Sequence, residues 1–197
     1  MNGKTATSRS QRAIKTKGKL FKSAAKLIDK YGYDHVTIED ISREAGVSVG
    51  AFYHYYQSKS DVIVEFFMQI DLYFDELRKE IFGSGDAARQ TLALFRAYAQ
   101  FHEDRGFDHT RTILRVQTPF FNDRSRTLYT MLEEIVHGGQ AAGVFTSEID
   151  AEQITGHFLI VARGVLFDWV LEKSSYDLLE KMRTEISLSI RTFNPVC

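Results

Sequence analysis

The chain has 197 residues, of which 44% are hydrophobic and 26% are charged, and its net charge is −1. This balance excludes disorder over most of the chain, and the length is sufficient to bury a core without disulfides or metals. The single cysteine, Cys197, excludes an internal disulfide and a cysteine-rich zinc module. Only two prolines, Pro119 and Pro195, interrupt the chain, which favours long helices. One domain or two small ones are expected.

The charge is distributed unevenly along the chain. Residues 1–60 carry eleven Lys and Arg against five Asp and Glu, a net charge of +6, which leaves −7 for the remainder. Such asymmetry indicates a nucleic-acid or membrane surface at one end of a protein. A solvated, disordered basic tail is the alternative that the charge alone leaves open.

Three helices are predicted in the basic part. The first covers about residues 16–31, and a second begins at Thr37, a good N-cap with Asp40 as its capping-box partner. Gly46 allows a tight turn before Ser48, which can cap the third helix. The inward positions of the first and third helices follow helical spacing: Leu20, Phe21, Ala24, Leu27, Ile28, Phe52 and Tyr56.

Three helices with a glycine-containing turn between the second and third form a helix-turn-helix arrangement. An ordinary three-helix bundle without a DNA role is the alternative. The residues themselves carry a closer resemblance. The segment VTIEDISREAGVSVGAFYHYYQSK (36–59), preceded by Leu20-Phe21, Leu27-Ile28 and Gly32-Tyr33, resembles the DNA-binding domain of the tetracycline-repressor (TetR) family of transcriptional regulators. The departures are mild and affect Val36, Ser42 and Tyr56.

The resemblance implies that the third helix enters the major groove of DNA. Phosphate contacts are then expected from Thr37, Tyr53, Tyr55 and Lys59. Base contacts are expected from Ser48, Val49, Gly50, Ala51 and His54. Because these residues lack the Arg, Asn and Gln side chains that bond base edges in pairs, we expect readout by thymine methyls, backbone approach and DNA shape. An adjacent groove would receive the basic N-terminal residues Arg9, Arg12, Lys15, Lys17 and Lys19.

The remaining sequence is also predicted to be helical. A long helix runs from Ser58 or Ser60 to about Ile81 and ends before a glycine-rich break at 83–85. A penultimate helix is predicted over Ala151 to Glu172, and the break at Ser174-Ser175 separates it from a last one. The predicted fold is therefore all-α, with a helix-turn-helix DNA-binding domain and basic tail at 1–62 and a helical ligand-binding and dimerisation domain at 63–197.

The resemblance implies a ligand cavity among the middle helices and a homodimer formed through the last two. The expected pocket residues are Phe95, Tyr98, His102, Val116, Gln117, Phe120 and Tyr129. For any one of these aromatic side chains, a place in an ordinary core is the alternative. The expected dimer face consists of Phe158, Val161, Val165, Ile186 and Ile190. The aromatic lining favours an effector that is apolar or aromatic.

No sequence feature supports an enzyme, a metal site or a cofactor. The six histidines are scattered without zinc-ligand spacing, and no phosphate-binding or nucleophile motif occurs, so no catalytic residue is expected. The basic N-terminus lacks the apolar region of a secretory signal. The longest apolar run, Phe158 to Leu171, is broken by Arg163 and Asp168 and is shorter than a bilayer span. A cytoplasmic protein without membrane contact is expected.

Together these observations predict a dimeric repressor that binds a palindromic operator and is released by a small-molecule effector. The two recognition helices would lie one turn of DNA apart, about 34–36 Å. The helix from Ser60 to Ile81 would be displaced when the effector binds. An activator, a repressor without an effector, a helical interaction module without specific DNA binding and a small helical enzyme are the alternatives.

Overall fold

The computed structural model describes residues 8–115 and 123–195, and within these ranges all regular elements are helical. The α-helices are α1 (Ser8–Tyr31), α2 (Ile38–Ala45), α3 (Val49–Tyr55), α4 (Lys59–Phe82), α5 (Ala87–Arg105), α6 (Phe107–Arg115), α7 (Thr127–Ala141), α8 (Ala151–Leu171) and α9 (Leu178–Thr192), with a 3₁₀ turn at Tyr33–His35. The chain divides into two compact units at Phe66 and Phe67, a position within α4. The predicted all-α fold is confirmed. The predicted boundary between residues 62 and 63 stays a prediction of domain organisation.

The first unit forms its core from α1, α2, α3 and the beginning of α4. Its buried side chains come from every one of these helices: Leu20, Ala24, Ile28, Ile41, Phe52, Tyr56 and Val62. The predicted capping box is present, because Asp40 N donates to Thr37 Oγ1 at 3.1 Å and Thr37 N donates to Asp40 Oδ2 at 3.1 Å. Gly46 ends α2 in the left-handed conformation, with φ +68°, which favours glycine between α2 and α3. These local signals predicted the turn correctly.

One element of this unit is longer than predicted. Helix α1 begins at Ser8, so residues 8–15, which were expected in a tail, are helical. This stretch lacks the apolar periodicity on which the prediction depended, and Ile14 is 68% exposed. Farther along the same helix, Lys17 forms an ion pair with Glu65 of α4 at 2.8 Å. The basic residues of this region therefore lie on a helix.

The second unit is built around α5, α8 and α9, with α7 packed against α5 and α8. A chain of buried aromatic rings joins them: Phe158 on α8 lies 6.1 Å from Phe95, 6.1 Å from Phe145 and 5.5 Å from Phe193, measured between ring centroids. Burial of such rings supplies the largest part of the free energy that stabilises a core of this size. Phe95, predicted to line a pocket, therefore packs within this core.

The predicted dimer face was wrong for four of its five residues. Phe158, Val165, Ile186 and Ile190 are all at most 8% exposed within a single chain, so they face the core of their own unit. The apolar residues that α8 and α9 expose are different: Ile160, Phe167, Leu171 and Leu188. Helix α8 is apolar on both faces, so its periodicity could not indicate which face is turned outward.

Helix α8 also meets the length and composition of a membrane span, with a mean hydropathy of 1.5 and 44% of its apolar window buried inside the fold. The expectation that no segment would do so is not met, because α8 begins at Ala151, before the apolar run that starts at Phe158. The buried half of the helix, including Phe158 and Trp169, belongs to the core of the second unit.

Candidate nucleic-acid interface and ligand cavity

Helix α3 presents the residues predicted to contact bases. Ser48 is its N-cap and accepts a hydrogen bond from Ala51 N at 3.1 Å. Ser48, Gly50, Tyr53 and His54 are exposed, whereas Val49, Ala51 and Tyr55 are half-buried. On the opposite side Phe52 is fully buried, which anchors the helix and leaves its polar face to solvent. The helix thus offers a short, small-residue N-terminus flanked by two aromatic hydroxyls.

Thr37 has a different environment from the one predicted for a phosphate ligand. Its hydroxyl donates to Asp40 Oδ2 at 2.7 Å, and its backbone N–H donates to the same oxygen. These bonds hold the pKa of the Asp40 carboxyl below its usual value, so a negative charge already occupies the N-terminus of α2. A phosphate contact from Thr37 would have to replace one of these bonds, and it stays a prediction.

Lys59 lies at the first turn of α4 and reaches back to the segment before α2. Its Nζ donates to the carbonyl oxygens of Tyr33 at 2.7 Å and Val36 at 2.8 Å, and it lies 4.1 Å from the centroid of the Tyr33 ring. Burial lowers the pKa of this ammonium from its ordinary value. Two of its three N–H donors are therefore used within the first unit, and one is left for the predicted phosphate contact.

The second unit contains a cavity of about 560 Å³ next to the beginning of α7. Its aliphatic wall comes from Leu128, Leu159 and Ile160. Its polar wall carries three arginines and one aspartate: Arg124, Arg126, Arg163 and Asp123. Tyr129 and Gly156 complete the lining, and the Arg124 guanidinium lies 5.7 Å from the centre of the Tyr129 ring. The volume is within the range of small-molecule sites, and the lining suits a ligand with an apolar part and an anionic part.

Of the four predicted pocket residues that the structure describes, Tyr129 alone lines this cavity. Val116, Gln117 and Phe120 lie outside the described residues. Tyr98 is buried near the polar wall: burial raises the pKa of its hydroxyl, and the positive charges of Arg163 and Arg126 partly oppose this shift. Phe95 and His102 are not among the residues that line the cavity.

His102 belongs to a buried polar cluster at the junction of α5 and α6. It is 1% exposed, its Nδ1 is hydrogen bonded to Thr110 Oγ1 at 3.1 Å, and its Nε2 has no hydrogen-bond partner among the described residues. Burial lowers the pKa of His102 to about 3 and that of nearby His109 to about 4. Both imidazoles are therefore neutral at pH 7. Within the described residues, no group of three His, Cys, Asp or Glu side chains is arranged to hold a metal ion.

Two family models match this chain. Residues 20–66 match the model of bacterial regulatory proteins of the tetR family, and residues 117–192 match the C-terminal region of YsiA-like proteins. Together these matches cover more than half of the chain. The chain belongs to the TetR family. It is a DNA-binding transcriptional regulator and not an enzyme. This contradicts two alternatives given above, the small helical enzyme and the interaction module without specific DNA binding.

Relatives and solved structures resemble the chain over nearly its full length. A fatty acid metabolism regulator protein of Bacillus subtilis is 24% identical over 179 residues, which are 85% of this chain and 90% of that protein. The fold is similar to that of the fatty acid degradation regulator FadR from Bacillus halodurans, with a TM-score of 0.75, 20% identity, and 89% and 94% of the two chains covered. It is also similar to FadR from Bacillus subtilis in complex with stearoyl-CoA, with a TM-score of 0.73, 16% identity, and 88% and 97% covered.

Sequence reasoning missed the arginines of the cavity. In the sequence, His102 and Gln117 stand out as polar residues on apolar stripes, whereas Arg163 is only an interruption of an apolar run. Arg124 and Arg126 precede α7 in a polar segment, where an arginine is usually solvated. An arginine inside the apolar stretch of α8 was the one signal that could have indicated the site.

Proposed function

We propose that this TetR-family regulator is a repressor that binds a palindromic operator as a homodimer and is released by a fatty acyl-CoA. The observation that carries the ligand class is the cavity in the second unit, which combines three arginines with an aliphatic wall. The DNA-binding surface is α3 with the residues around it. The site of action is the cytoplasm, where both DNA and acyl-CoA are present.

In this proposal the polar face of α3 lies in the major groove. Ser48, Gly50 and His54 face the bases, with Val49 and Ala51 at the margin of the contact. Tyr53 and Tyr55 donate their hydroxyls to phosphates, as does the remaining N–H of Lys59. Basic residues on the exposed side of α1, including Arg12, Lys15 and Lys19, add charge to the same unit. Release of counterions by these contacts predicts strong salt dependence.

Tyr53→Phe is expected to weaken operator binding about three- to tenfold across operator sequences, because it removes a phosphate hydrogen bond and leaves base contacts unchanged. Tyr31→Phe is the matched control, since Tyr31 belongs to the same unit and is 52% exposed, against 55% for Tyr53. Duplexes enriched from a random pool and measured by fluorescence anisotropy at several salt concentrations provide the test. Equal effects of the two substitutions, or affinity independent of salt, would overturn the proposed interface.

The homodimer is proposed to form through the outward apolar face of α8 and α9. Phe167 and Leu171 lie four residues apart on α8, and Leu188 lies on α9; all three are more than half exposed in the isolated chain. Gly164 lies on the same side of α8 and has no heavy atom within 4 Å of a Cβ position. A face of large apolar residues and a glycine allows close helix approach, and its exposure in a monomer would be unfavourable.

An acyl-CoA is proposed because it has both parts that the cavity recognises. The anionic phosphates suit the arginines, and the beginning of the acyl chain suits Leu128, Leu159 and Ile160. The relatives support this class: one is named for fatty acid metabolism, and one solved structure contains stearoyl-CoA. The proposed effector differs from the apolar or aromatic one expected from the sequence, because it also carries an anionic part.

Long-chain acyl-CoA at micromolar concentration is expected to release the protein from its operator, with an affinity at least about tenfold higher than that of CoA alone or of the free fatty acid, because neither fragment fills both walls. Release is followed by anisotropy of the labelled operator. Binding is followed separately by fluorescence of Trp169, the single tryptophan, which is 4% exposed on α8. Release by a neutral aromatic compound and not by acyl-CoA would overturn this ligand class.

A further inference from the structure

Arg126, the residue before α7, forms its side-chain hydrogen bonds with helix α4. Its Nε donates to Asp71 Oδ2 at 3.1 Å, and its Nη2 donates to Asp71 Oδ1 at 3.1 Å and to the carbonyl oxygen of Phe67 at 3.0 Å. Its guanidinium also lies 4.8 Å from the centroid of the Phe67 ring. The Arg126 side chain is 12% exposed and that of Asp71 is 23% exposed. This paired, partly buried ion pair is stronger than an ordinary surface pair.

Arg126 also lines the cavity of the second unit. Arg126 is thus shared between two sets of acceptors: the carboxylate and carbonyl oxygens of α4, and whatever anion enters the cavity. The second unit begins at Phe67, within α4, so Phe67 and Asp71 lie in the first part of α4 that belongs to this unit. The preceding residues of α4 belong to the first unit. A change at Arg126 therefore acts directly on the helix that continues toward the DNA-binding residues.

The other arginine before α7 provides a contrast. Arg124 lines the same cavity, but it pairs with Glu152, which lies on α8. The Arg124 and Glu152 side chains are 64% and 52% exposed. An anion that contacts Arg124 gains binding free energy without disturbing α4. Of the two arginines that precede α7, one is therefore bonded to α4 and the other to α8.

We infer that Arg126 is the residue through which the anionic group of the ligand acts on α4, by exchanging its bonds to Asp71 and the Phe67 carbonyl for bonds to the ligand. This inference rests on the proposed function. A ligand shifts a conformational equilibrium only by its differential affinity for the two states, and the competition for one guanidinium supplies that difference. With its counter-charge removed, the Asp71 carboxylate turns toward water, and the beginning of α4 in the second unit is released.

Ligand binding and operator binding are thermodynamically linked, and this linkage sets the direction in which each substitution changes the two affinities. Because the Asp71–Arg126 pair opposes the ligand, Asp71→Asn is expected to raise acyl-CoA affinity about fivefold and to reduce the factor by which saturating ligand weakens operator binding. Arg126→Gln is expected to lower ligand affinity and to reduce the same factor. Arg124→Gln lowers ligand affinity alone, and Glu152→Gln leaves the factor unchanged.

The experiment measures operator affinity by anisotropy without ligand and with saturating stearoyl-CoA, and ligand affinity by Trp169 fluorescence, for wild type and each variant. We expect a release factor of about 20 or more for wild type, Arg124→Gln and Glu152→Gln, and of about 5 or less for Asp71→Asn and Arg126→Gln. The double variant Arg126→Gln with Asp71→Asn leaves no uncompensated carboxylate, so it tests the inference even where the single Arg126 variant fails to fold. It is also expected to lose release.

The outcomes separate this inference from the proposed function. A wild-type protein that neither binds acyl-CoA nor leaves its operator overturns both. A wild type that responds, with the double variant keeping its release factor, overturns only the role of Arg126. Equal loss of release in Asp71→Asn and Glu152→Gln also overturns it, because the effect would then follow from cavity charge and not from the bond to α4.

Discussion

Gly139→Ala is expected to lower the free energy of unfolding of the second unit by about 2 kcal/mol, because α7 approaches its neighbours too closely at this residue for any side chain. A Cβ there would lie 2.7 Å from the Ala87 Cβ and closer still to Cδ2 of Phe145. Phe145 is 1% exposed and packs on Phe158, so its ring has little room to move. The gain in helix propensity from alanine, up to about 1 kcal/mol, is smaller than the cost of overpacking.

Gly138→Ala is the matched control for this prediction. Gly138 precedes Gly139 in α7, is exposed and has no heavy atom within 4 Å of its Cβ position, so alanine there is expected to stabilise the unit by about 0.5–1 kcal/mol. Urea unfolding followed by Trp169 fluorescence compares the two variants with wild type. If both substitutions stabilise the protein, α7 does not pack against Phe145 and Ala87 as closely as this prediction requires.

The first unit could be predicted closely because its signals are local. Thr37 and Asp40 form a capping box, and Gly46 takes the left-handed conformation that ends α2. Each of these features depends on residues within four positions of one another. The start of α1 could not be predicted, because its first two turns lack an apolar stripe that would indicate a helix.

The second unit was predictable in its helices but not in its faces. Helix α8 was predicted almost to the residue, yet Phe158 and Val165 are buried while Ile160 and Phe167 are exposed. A helix with apolar residues all round has no preferred side in sequence, so only tertiary packing decides which face is turned inward. The same reasoning explains why Phe95 was expected in a pocket but packs in the core. An apolar residue on a helix fits either place.

The ligand cavity depended on contacts that sequence does not show. Arg126 and Asp71 lie 55 positions apart, and neither stands in a motif. The sequence shows Arg163 as a charged residue within an apolar run, but it does not show on which face of α8 this residue lies. The candidate ligand site of the second unit therefore follows from geometry, whereas the helix-turn-helix of the first unit follows from the sequence pattern.

The buried histidine pair is expected to make the second unit less stable as the pH falls from 6.5 to 5. Burial lowers the pKa of His102 to about 3 and of His109 to about 4, and the charge of Arg105 lowers both further. An imidazole in an unfolded chain has a pKa of about 6.5, so the unfolded state binds protons that the folded state excludes. Stability from each neutral imidazole is complete above pH 6.5 and is lost as the pH falls toward the folded-state pKa. At pH 5 the loss is about 2 kcal/mol for each histidine, or about 4 kcal/mol for the pair.

Urea unfolding at pH 7, 6 and 5 measures the slope of the free energy of unfolding against pH. This range lies above the ordinary pKa of carboxyl groups, so carboxyl titration contributes little. His102→Phe keeps an aromatic ring beside Tyr98, whose centroid lies 4.8 Å away, and is expected to remove about half of the loss at pH 5. Tyr98→Phe changes the same cluster without removing an imidazole, so its slope is expected to match wild type. If the free energy of unfolding of His102→Phe depends on pH as strongly as that of wild type, water reaches this histidine in the folded state.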